Sequence, residues 1–305
     1  MAESPLYLVL PLLNLKRISL LENASSHWSE DGGQILKWSE LPPQLESALT
    51  PAFSSRGLRH VHLRGIVIDS CFQLLSLFSE AAALEELILS RVLVMEGDTP
   101  ISWPESRPWR PQLRSLLVSE FGDDLLCQYL ANPKFDLTHV NLLTIGSHSN
   151  GSNEVVGNLI QAKFPGLEHL RLSMDAPYQL PDSFGANLRS IDLCTQHILV
   201  SMADFFKRCE HRMRLEYITF EGEVEAGAGY QPHPLISLVN ANIDSAVPKL
   251  LFLKMVQIRV YDYLNAPASE WLDRLRSSLP SLVRRNLLTV TGIPTTVGEP
   301  FDDWE

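Results

Sequence analysis

Two histidines lie two residues apart in the segment GLRHVHLRGIV, residues 57–67. Side chains two apart on a β-strand point to the same face, and imidazoles that share a face are one starting point for a zinc site. Zinc needs further ligands, however, and neither His60 nor His62 has a histidine or cysteine partner at a recognisable metal-binding spacing. We therefore expect a polar patch here, and no metal or cofactor.

The sequence lacks the usual enzyme motifs. It has no GxxxxGK[ST] phosphate loop, no HExxH and no GxSxG. Its four cysteines, Cys71, Cys127, Cys194 and Cys209, form no CxxC pair, which fits a reducing compartment. A hydrolase that uses Cys194 with a neighbouring histidine is an alternative, because such residues assemble in space rather than along the chain. The prediction is nevertheless a protein that is not an enzyme.

Composition and charge narrow the range of partners. The 305 residues are 45% hydrophobic and 20% charged, which is typical of a folded globular protein. A formal net charge of −11 provides no broad basic field for phosphate backbones or anionic lipids. No apolar stretch approaches the roughly 20 residues of a membrane-spanning helix. We expect neither a nucleic-acid nor a membrane partner, and a cytoplasmic or nuclear location.

The spacing L-x-x-L-x-L recurs nine times along the chain. The copies are LKRISL at 15, LRHVHL at 58, LEELIL at 84, LRSLLV at 113, LTHVNL at 137, LEHLRL at 167, LRSIDL at 188, LEYITF at 215 and LLFLKM at 250. Most intervals are close to the leucine-rich-repeat period of about 20 to 29 residues. Segments between copies show helical spacing, as in Cys71, Leu74, Leu75 and Phe78.

This alternation predicts an α/β leucine-rich-repeat solenoid. A curved parallel β-sheet would line the concave face, with helices and loops on the convex face. A doubly wound α/β domain is the alternative, but it does not explain the fixed spacing of the copies. We expect one domain over 1–305, with about nine repeats in 12–260. A capping helix and strand should follow in 261–292, then an acidic, disordered tail in 293–305.

Three insertions, Glu22–Glu40, Glu96–Pro111 and Glu221–Pro234, interrupt the repeats and should leave the same edge of the sheet. The first two hold four of the six tryptophans: Trp28, Trp38, Trp103 and Trp109. Tryptophan is a favoured interface anchor. These side chains either bind a partner or fold back as plugs over the core, and the sequence leaves both open.

The third, fifth and seventh positions of each copy should face outward and form a partner-binding surface. The candidate residues on it are His60, His62, Arg64, Glu86, His139, Asn141, His169, Arg171, Asp192 and Tyr217. The same rule turns Leu143, Phe252, Lys254 and Val256 outward. His139 and His169 hold the same position in adjacent copies, so we expect their backbones to lie about 5 Å apart.

The runs PLLNLKRISL, GLRHVHLRGIVIDSCFQLLSLFSEAAALEELILSRVLV and FPGLEHLRLS resemble the leucine-rich regions of fungal F-box proteins. The resemblance covers about residues 5–260. It implies a substrate-recognition subunit of a cullin-RING ubiquitin ligase, with the repeats holding the substrate and an F-box docking to the ligase. The first repeat begins by about Leu12, so we expect this chain to lack the F-box.

The predicted function is therefore a non-catalytic protein–protein interaction module, related to these ligase subunits. The alternative is a GTPase-activating or other regulatory leucine-rich-repeat protein. Such a protein would need an exposed residue to complete a GTPase site, and Arg64 and Arg171 are the candidates.

Overall fold

The computed structural model describes residues 15–21, 36–95, 109–119, 130–147, 159–160, 162–174, 187–195, 197–209, 213–222, 235–261, 273 and 275–293. The chain divides into two compact units, Met1–Gly166 and Leu167–Glu305. They are called here the first unit and the second unit.

The first unit is built on a parallel β-sheet. Its elements are β1 (Arg17–Leu21), β2 (Leu36–Lys37), a 3-10 turn (Trp38–Glu40), α1 (Pro43–Phe53), β3 (His60–Ile68), α2 (Cys71–Phe78), β4 (Glu86–Val94), β5 (Ser115–Ser119) and β6 (Leu142–Ser147). The strand order is β1-β3-β4-β5-β6, and the short β2 also pairs with β3. Each pairing is parallel.

The second unit repeats this plan. Its elements are β7 (His169–Met174), β8 (Ser190–Thr195), α3 (Ile198–Arg208), β9 (Tyr217–Gly222), α4 (Leu235–Ala246), β10 (Met255–Tyr261), α5 (Pro280–Arg284) and β11 (Leu288–Ile293). The strands follow one another in the order β7-β8-β9-β10-β11, again all parallel. The range 261–292, in which a capping helix and strand are expected, contains α5 and most of β11. Residues 294–305 of the expected tail lie outside the described residues.

The alternation of apolar and polar residues explains why these segments form strands with one buried face. On β3, Val61 and Leu63 are completely buried, while His60 and His62 on the other face are partly exposed. The buried residues face the helices, since α2 contacts β3 and α3 contacts β8 and β9. Parallel strands need long crossover connections, so strands alternate with helices or loops. The prediction of an α/β fold with a parallel sheet is confirmed.

The fifth copy of the repeat begins three residues later than predicted. In the pairing of β5 with β6, Leu116 lies opposite Leu143 and Val118 opposite Ile145. Leu143 is 1% exposed, whereas Leu142, expected to be inward, is 40% exposed. The prediction that Leu143 faces outward is wrong.

The ninth copy is displaced in the same way. Ile218 lies opposite Val256, and Phe220 opposite Ile258. Val256 is fully buried, so its predicted outward position is wrong. Phe252 is exposed but lies in the turn before β10, so it is not a strand residue as predicted.

Both displacements have one physical cause, a tight turn that precedes the strand. The amide of Val140 donates to the carbonyl of Leu137 at 3.1 Å, and that of Leu253 to the carbonyl of Leu250 at 3.2 Å. Leu137 and Leu250 are buried beneath these turns. A buried leucine therefore lies three positions before the first residue of each observed copy, Val140 or Leu253, and the spacing alone cannot distinguish the turn from the strand.

Two of the four insertion tryptophans are described, and both pack inward. Trp38 is 1% exposed, with its ring centroid 5.9 Å from that of Phe53. Of the two roles left open for it, Trp38 has that of a plug over the core and not that of a partner contact. Trp109 is half-buried and meets Phe135 edge to face at 4.8 Å. Trp28 and Trp103 lie outside the described residues.

Candidate functional site

Each sheet has one face packed against helices and a second face that carries the polar side chains of the strands. The latter is called here the open face of its unit. On the first open face, the described outward residues include Arg17, Ser19, His60, His62, Arg64, Glu86, Ile88, Ser90, Ser115, Leu117 and Leu142. On the second open face they include His169, Arg171, Asp192, Cys194, Tyr217, Glu221, Gln257, Arg259 and Tyr261.

A basic cluster occupies one side of the first open face. Arg17, His60 and Glu86 stand side by side on three neighbouring strands. Glu86 Oε1 lies 3.9 Å from Arg17 Nη2 and 3.5 Å from His60 Nδ1. His62 and Arg64 continue along β3, opposite Ser19 and Leu21 on β1 and Ile88 and Ser90 on β4.

An apolar strip lies beside this cluster, on the same face. Ile88 of β4 stands opposite Leu117 of β5, and both are partly exposed. Leu142 of β6 follows at the start of its strand, opposite Ser115, with 40% of its surface exposed. The first open face thus changes from basic to apolar across the sheet.

The second open face centres on the carboxylate of Glu221. Arg171 Nη2 lies 3.6 Å from one carboxylate oxygen, and Arg259 Nη1 lies 3.2 Å from the other. The Tyr261 hydroxyl donates a short hydrogen bond to the same carboxylate. Only 13% of the Glu221 side chain is exposed, and three partners satisfy it. Two guanidinium groups are therefore held in place over β9.

Cys194 belongs to this cluster but is not activated. Its sulfur lies 3.9 Å from the Tyr261 hydroxyl, and the residue is 4% exposed. Burial, and then the negative charge of Glu221, raise the pKa of the Cys194 thiol above its ordinary value. Burial also raises the pKa of Tyr261, as do its neighbours Cys194 and Glu221. A catalytic cysteine requires the opposite shift in pKa, so this environment disfavours the hydrolase alternative.

Other residues of the second open face make ordinary surface contacts. His169 Nδ1 and the Ser190 hydroxyl are 2.8 Å apart. Tyr217 is 41% exposed, and the ammonium of Lys254 lies 5.7 Å from its ring centroid. Of the two arginines proposed for a GTPase site, Arg171 is engaged by Glu221. That engagement disfavours Arg171 as an arginine finger, since such a residue must reach a partner's phosphate.

Eight of the ten outward candidates lie on the two open faces. His60, His62, Arg64 and Glu86 are together on the first, and His169, Arg171, Asp192 and Tyr217 on the second. His139 and Asn141 do not lie on a strand. His139 is in the turn before β6 and Asn141 directly precedes that strand, so their predicted place on the sheet face is wrong. The cause is the displaced fifth copy, and His139 and His169 belong to different units.

Two residues of the Glu221 cluster, Arg259 and Tyr261, were missed from the sequence. The sequence places the ninth copy three residues too early. It therefore predicts Phe252, Lys254 and Val256 at the outward positions, whereas the strand pairing places Met255, Gln257 and Arg259 there. Val256, Ile258 and Val260 alternate with polar residues in β10. That alternation was the signal that could have identified Arg259.

Outside the open faces, charged residues form pairs just before the strands. Arg59 Nη1 lies 3.5 Å from Glu85 Oε1, and Arg189 Nε lies 3.8 Å from Glu168 Oε2. Lys254 pairs with Glu216 in the same way. These exposed pairs contribute little stability but neutralise charge at this edge of each sheet.

Within the described parts of the chain, no group of three or more histidine, cysteine or acidic side chains is placed to hold a metal ion. No described helix is both long and apolar enough to cross a membrane. No protein-family model and no curated protein matches the chain.

Proposed function

We propose that this chain is a leucine-rich-repeat protein that binds another protein on its open faces and catalyses no reaction itself. The observation that carries the proposal is the two-sidedness of each sheet. Helices and buried leucines occupy one face, while ordered polar and apolar side chains stand in rows on the other. An exposed sheet of this kind offers a broad contact surface, as in other repeat proteins.

The spacing of the strands supports the repeat class. With the fifth copy placed by its strand pairing, the inward residues Leu116, Leu143 and Leu170 are each 27 residues apart in the sequence. A constant interval of this length lies within the range of leucine-rich repeats.

The resemblance to fungal F-box proteins suggests a more specific role. We propose that the chain recognises a substrate for a ubiquitin ligase, in the cytoplasm or the nucleus. In that role the open faces hold the substrate, and components of the ligase are the second class of partner. The free thiols of Cys71, Cys194 and Cys209 fit a reducing compartment.

Proximity labelling in cells tests the proposal with one variant for each face. The first-face variant carries His62→Glu and Arg64→Glu, and the second-face variant carries Arg171→Ala and Arg259→Ala. A control variant, Arg284→Ala with Arg285→Ala, changes exposed basic residues at the C-terminal end of α5 instead. Unchanged thermal melting by circular dichroism verifies that each variant is folded.

We expect at least one face variant to lose specific labelled proteins that the control variant retains. Among the lost proteins, ligase components or proteins whose ubiquitination falls would support the ligase role. If both face variants label the same proteins as the wild type while remaining folded, the open faces are not the binding surface and the proposal is wrong.

A further inference from the structure

Four copies of the repeat begin with the same kind of tight turn. The amides of their first repeat residues, Leu58, Leu84, Val140 and Leu253, donate to the carbonyl three positions earlier at 3.0 to 3.2 Å. The corner residues of these turns are Arg56–Gly57, Ala82–Ala83, Thr138–His139 and Leu251–Phe252. Glycine and polar residues dominate turns because they adopt the required backbone or hydrogen-bond to it. Of these four turns, only the last has two large apolar residues at its corners, and it is called here the apolar turn.

Both corner residues of the apolar turn are exposed to solvent. Leu251 is 80% exposed and Phe252 is 55% exposed, and no other large hydrophobic residue in the described part of the chain is as exposed as Leu251. Single exposed apolar residues are ordinary, whereas a contiguous exposed apolar patch marks an interaction site. Tyr217, also exposed, stands opposite Met255, whose Cα lies at most about 11 Å from that of Phe252 because it follows by three residues. All three side chains are therefore within reach of one extended segment of about five residues.

The segments that form and flank the apolar turn are basic. Residues 213–217 and 247–255 contain one carboxylate and three cations, namely Glu216 and Arg214, Lys249 and Lys254. Arg214 is exposed and holds the position in the eighth copy that the second corner residue holds in the ninth. Lys249 lies two positions before the first corner residue and is partly exposed, while the ammonium of Lys254 pairs with Glu216. A local excess of positive charge thus surrounds an apolar patch, on a chain whose net charge is −11.

These two properties define the chemistry of a fitting partner. An apolar side chain that packs on Leu251 and Phe252 would remove exposed hydrocarbon from water, which favours binding. A carboxylate next to it would meet Arg214 and Lys249, whereas a basic group would be repelled there. The local excess of positive charge also steers an acidic segment toward this edge of the sheet, although the chain as a whole is acidic.

We propose that the apolar turn, together with Tyr217, binds a segment of another protein in which a large apolar side chain is flanked by acidic residues. The apolar side chain packs on Leu251 and Phe252, and the flanking carboxylates pair with Arg214 and Lys249. Tyr217 lies at the border of the second open face, so the segment adds a contact to that binding surface. The inference therefore rests on the proposed function and names the chemical class of the partner segment.

Fluorescence anisotropy with labelled synthetic peptides and the full 305-residue chain tests this inference. The probe peptide is Ser-Glu-Asp-Phe-Leu-Asp-Glu-Ser. One comparison peptide replaces its acidic residues with lysine, and another replaces its phenylalanine and leucine with serine. We expect the probe to bind at least tenfold more tightly than either comparison peptide, and more weakly as salt is raised.

Matched variants locate the binding site. Phe252→Ser should weaken binding of the probe at least tenfold, whereas Leu238→Ser, an equally drastic change at an exposed position of α4, should alter it by less than twofold. Arg214→Glu should also weaken binding at least tenfold, and Arg214→Gln by less, since it removes charge without reversing it. The charge control is Arg114→Glu, which changes an exposed arginine directly before β5 in the first unit and should alter affinity by less than twofold. Unchanged thermal melting by circular dichroism verifies that each variant is folded.

Lack of probe binding, or equal binding of the probe and the lysine peptide, would overturn the inference. So would equal losses of probe affinity in Phe252→Ser and Leu238→Ser, because the peptide would then bind elsewhere. Neither result bears on the proposed function, whose labelling test depends on variants of the open faces and leaves the apolar turn unchanged.

Discussion

Leu142 and Leu143 are adjacent residues of identical chemistry that the strand pairing places on opposite faces of the sheet. Leu143 lies opposite Leu116 and is 1% exposed, whereas Leu142 lies opposite Ser115 and is 40% exposed. Replacing each by alanine removes the same atoms from two environments. The pair therefore tests the register of β6 without any change in charge or polarity.

The expected cost follows from burial. Truncating leucine to alanine removes three carbons, which at about 0.8 kcal/mol each is about 2.4 kcal/mol for a fully buried side chain. At Leu143 a cavity would remain in the core, and the total loss should be about 3 kcal/mol or more. At Leu142 the truncation removes only partly buried surface and leaves no closed cavity, so the free energy of unfolding should fall by about 1 kcal/mol.

Urea unfolding followed by circular dichroism measures this difference. With a slope of about 3 kcal/mol per molar urea, Leu143→Ala should lower the midpoint by about 1 M and Leu142→Ala by about 0.3 M. Equal midpoints, or a lower midpoint for Leu142→Ala, would show that the strand register described here is wrong by one residue.

Three further predictions concern the second unit. Val256→Asp should abolish folding or lower stability by several kcal/mol because it buries an unpaired carboxylate. Phe252→Asp in the exposed turn should change stability by less than about 1 kcal/mol, and the comparison of the two urea midpoints checks the register of β10. Gly222 has a φ of 148°, and a Cβ there would lie 1.6 Å from the carbonyl oxygen of Thr195. Gly222→Ala should therefore destabilise the protein by at least about 3 kcal/mol in thermal or urea melts. The control, Gly292→Ala in the exposed part of β11, should be nearly neutral. Burial raises the pKa of Cys194 and raises that of Cys209 to about 12, so both thiols stay protonated at pH 8. Both should react with iodoacetamide slowly in the native protein and rapidly in urea. Rapid labelling of either cysteine in the native protein, measured by mass spectrometry, would contradict their buried placement.

Much of the fold was predictable because burial imposes a period on the sequence. Residues such as Val61, Leu63, Leu87 and Leu89 are inward in both the predicted and the observed strands, and all four are completely buried. A strand that is buried on one face must alternate apolar and polar residues, and this alternation can be recognised in a single sequence. Helix α2 was predictable for the same reason, and its N-terminal cap by Ser70 follows the usual preference for serine at that position.

The starting points of two strands were not predictable from spacing alone. Leu137 and Leu250 are buried before their turns, and each lies three residues before the apolar residue that begins the observed copy, Val140 or Leu253. A constant interval would have resolved the fifth copy, because 24 and 30 residues on either side become 27 and 27 when the start moves to Val140. The same rule fails for the ninth copy, whose interval grows from 35 to 38 residues after correction.

The Glu221 cluster could not be predicted from the sequence, because the residues that form it are known only when the register of β10, the strand of the ninth copy, is known. Arg259 and Tyr261 follow Glu221 by 38 and 40 residues in the sequence. Only the pairing of Glu221 with Arg259 across β9 and β10 brings their side chains together. A displacement of three residues is odd, so it reverses the face of every side chain in the strand. Arg259 would then have counted as buried and unpaired, which a parallel sheet packed against helices does not tolerate. The polar residues of a repeat protein are thus as informative about register as its leucines, because an arginine assigned to the core signals that the assigned starting point is wrong.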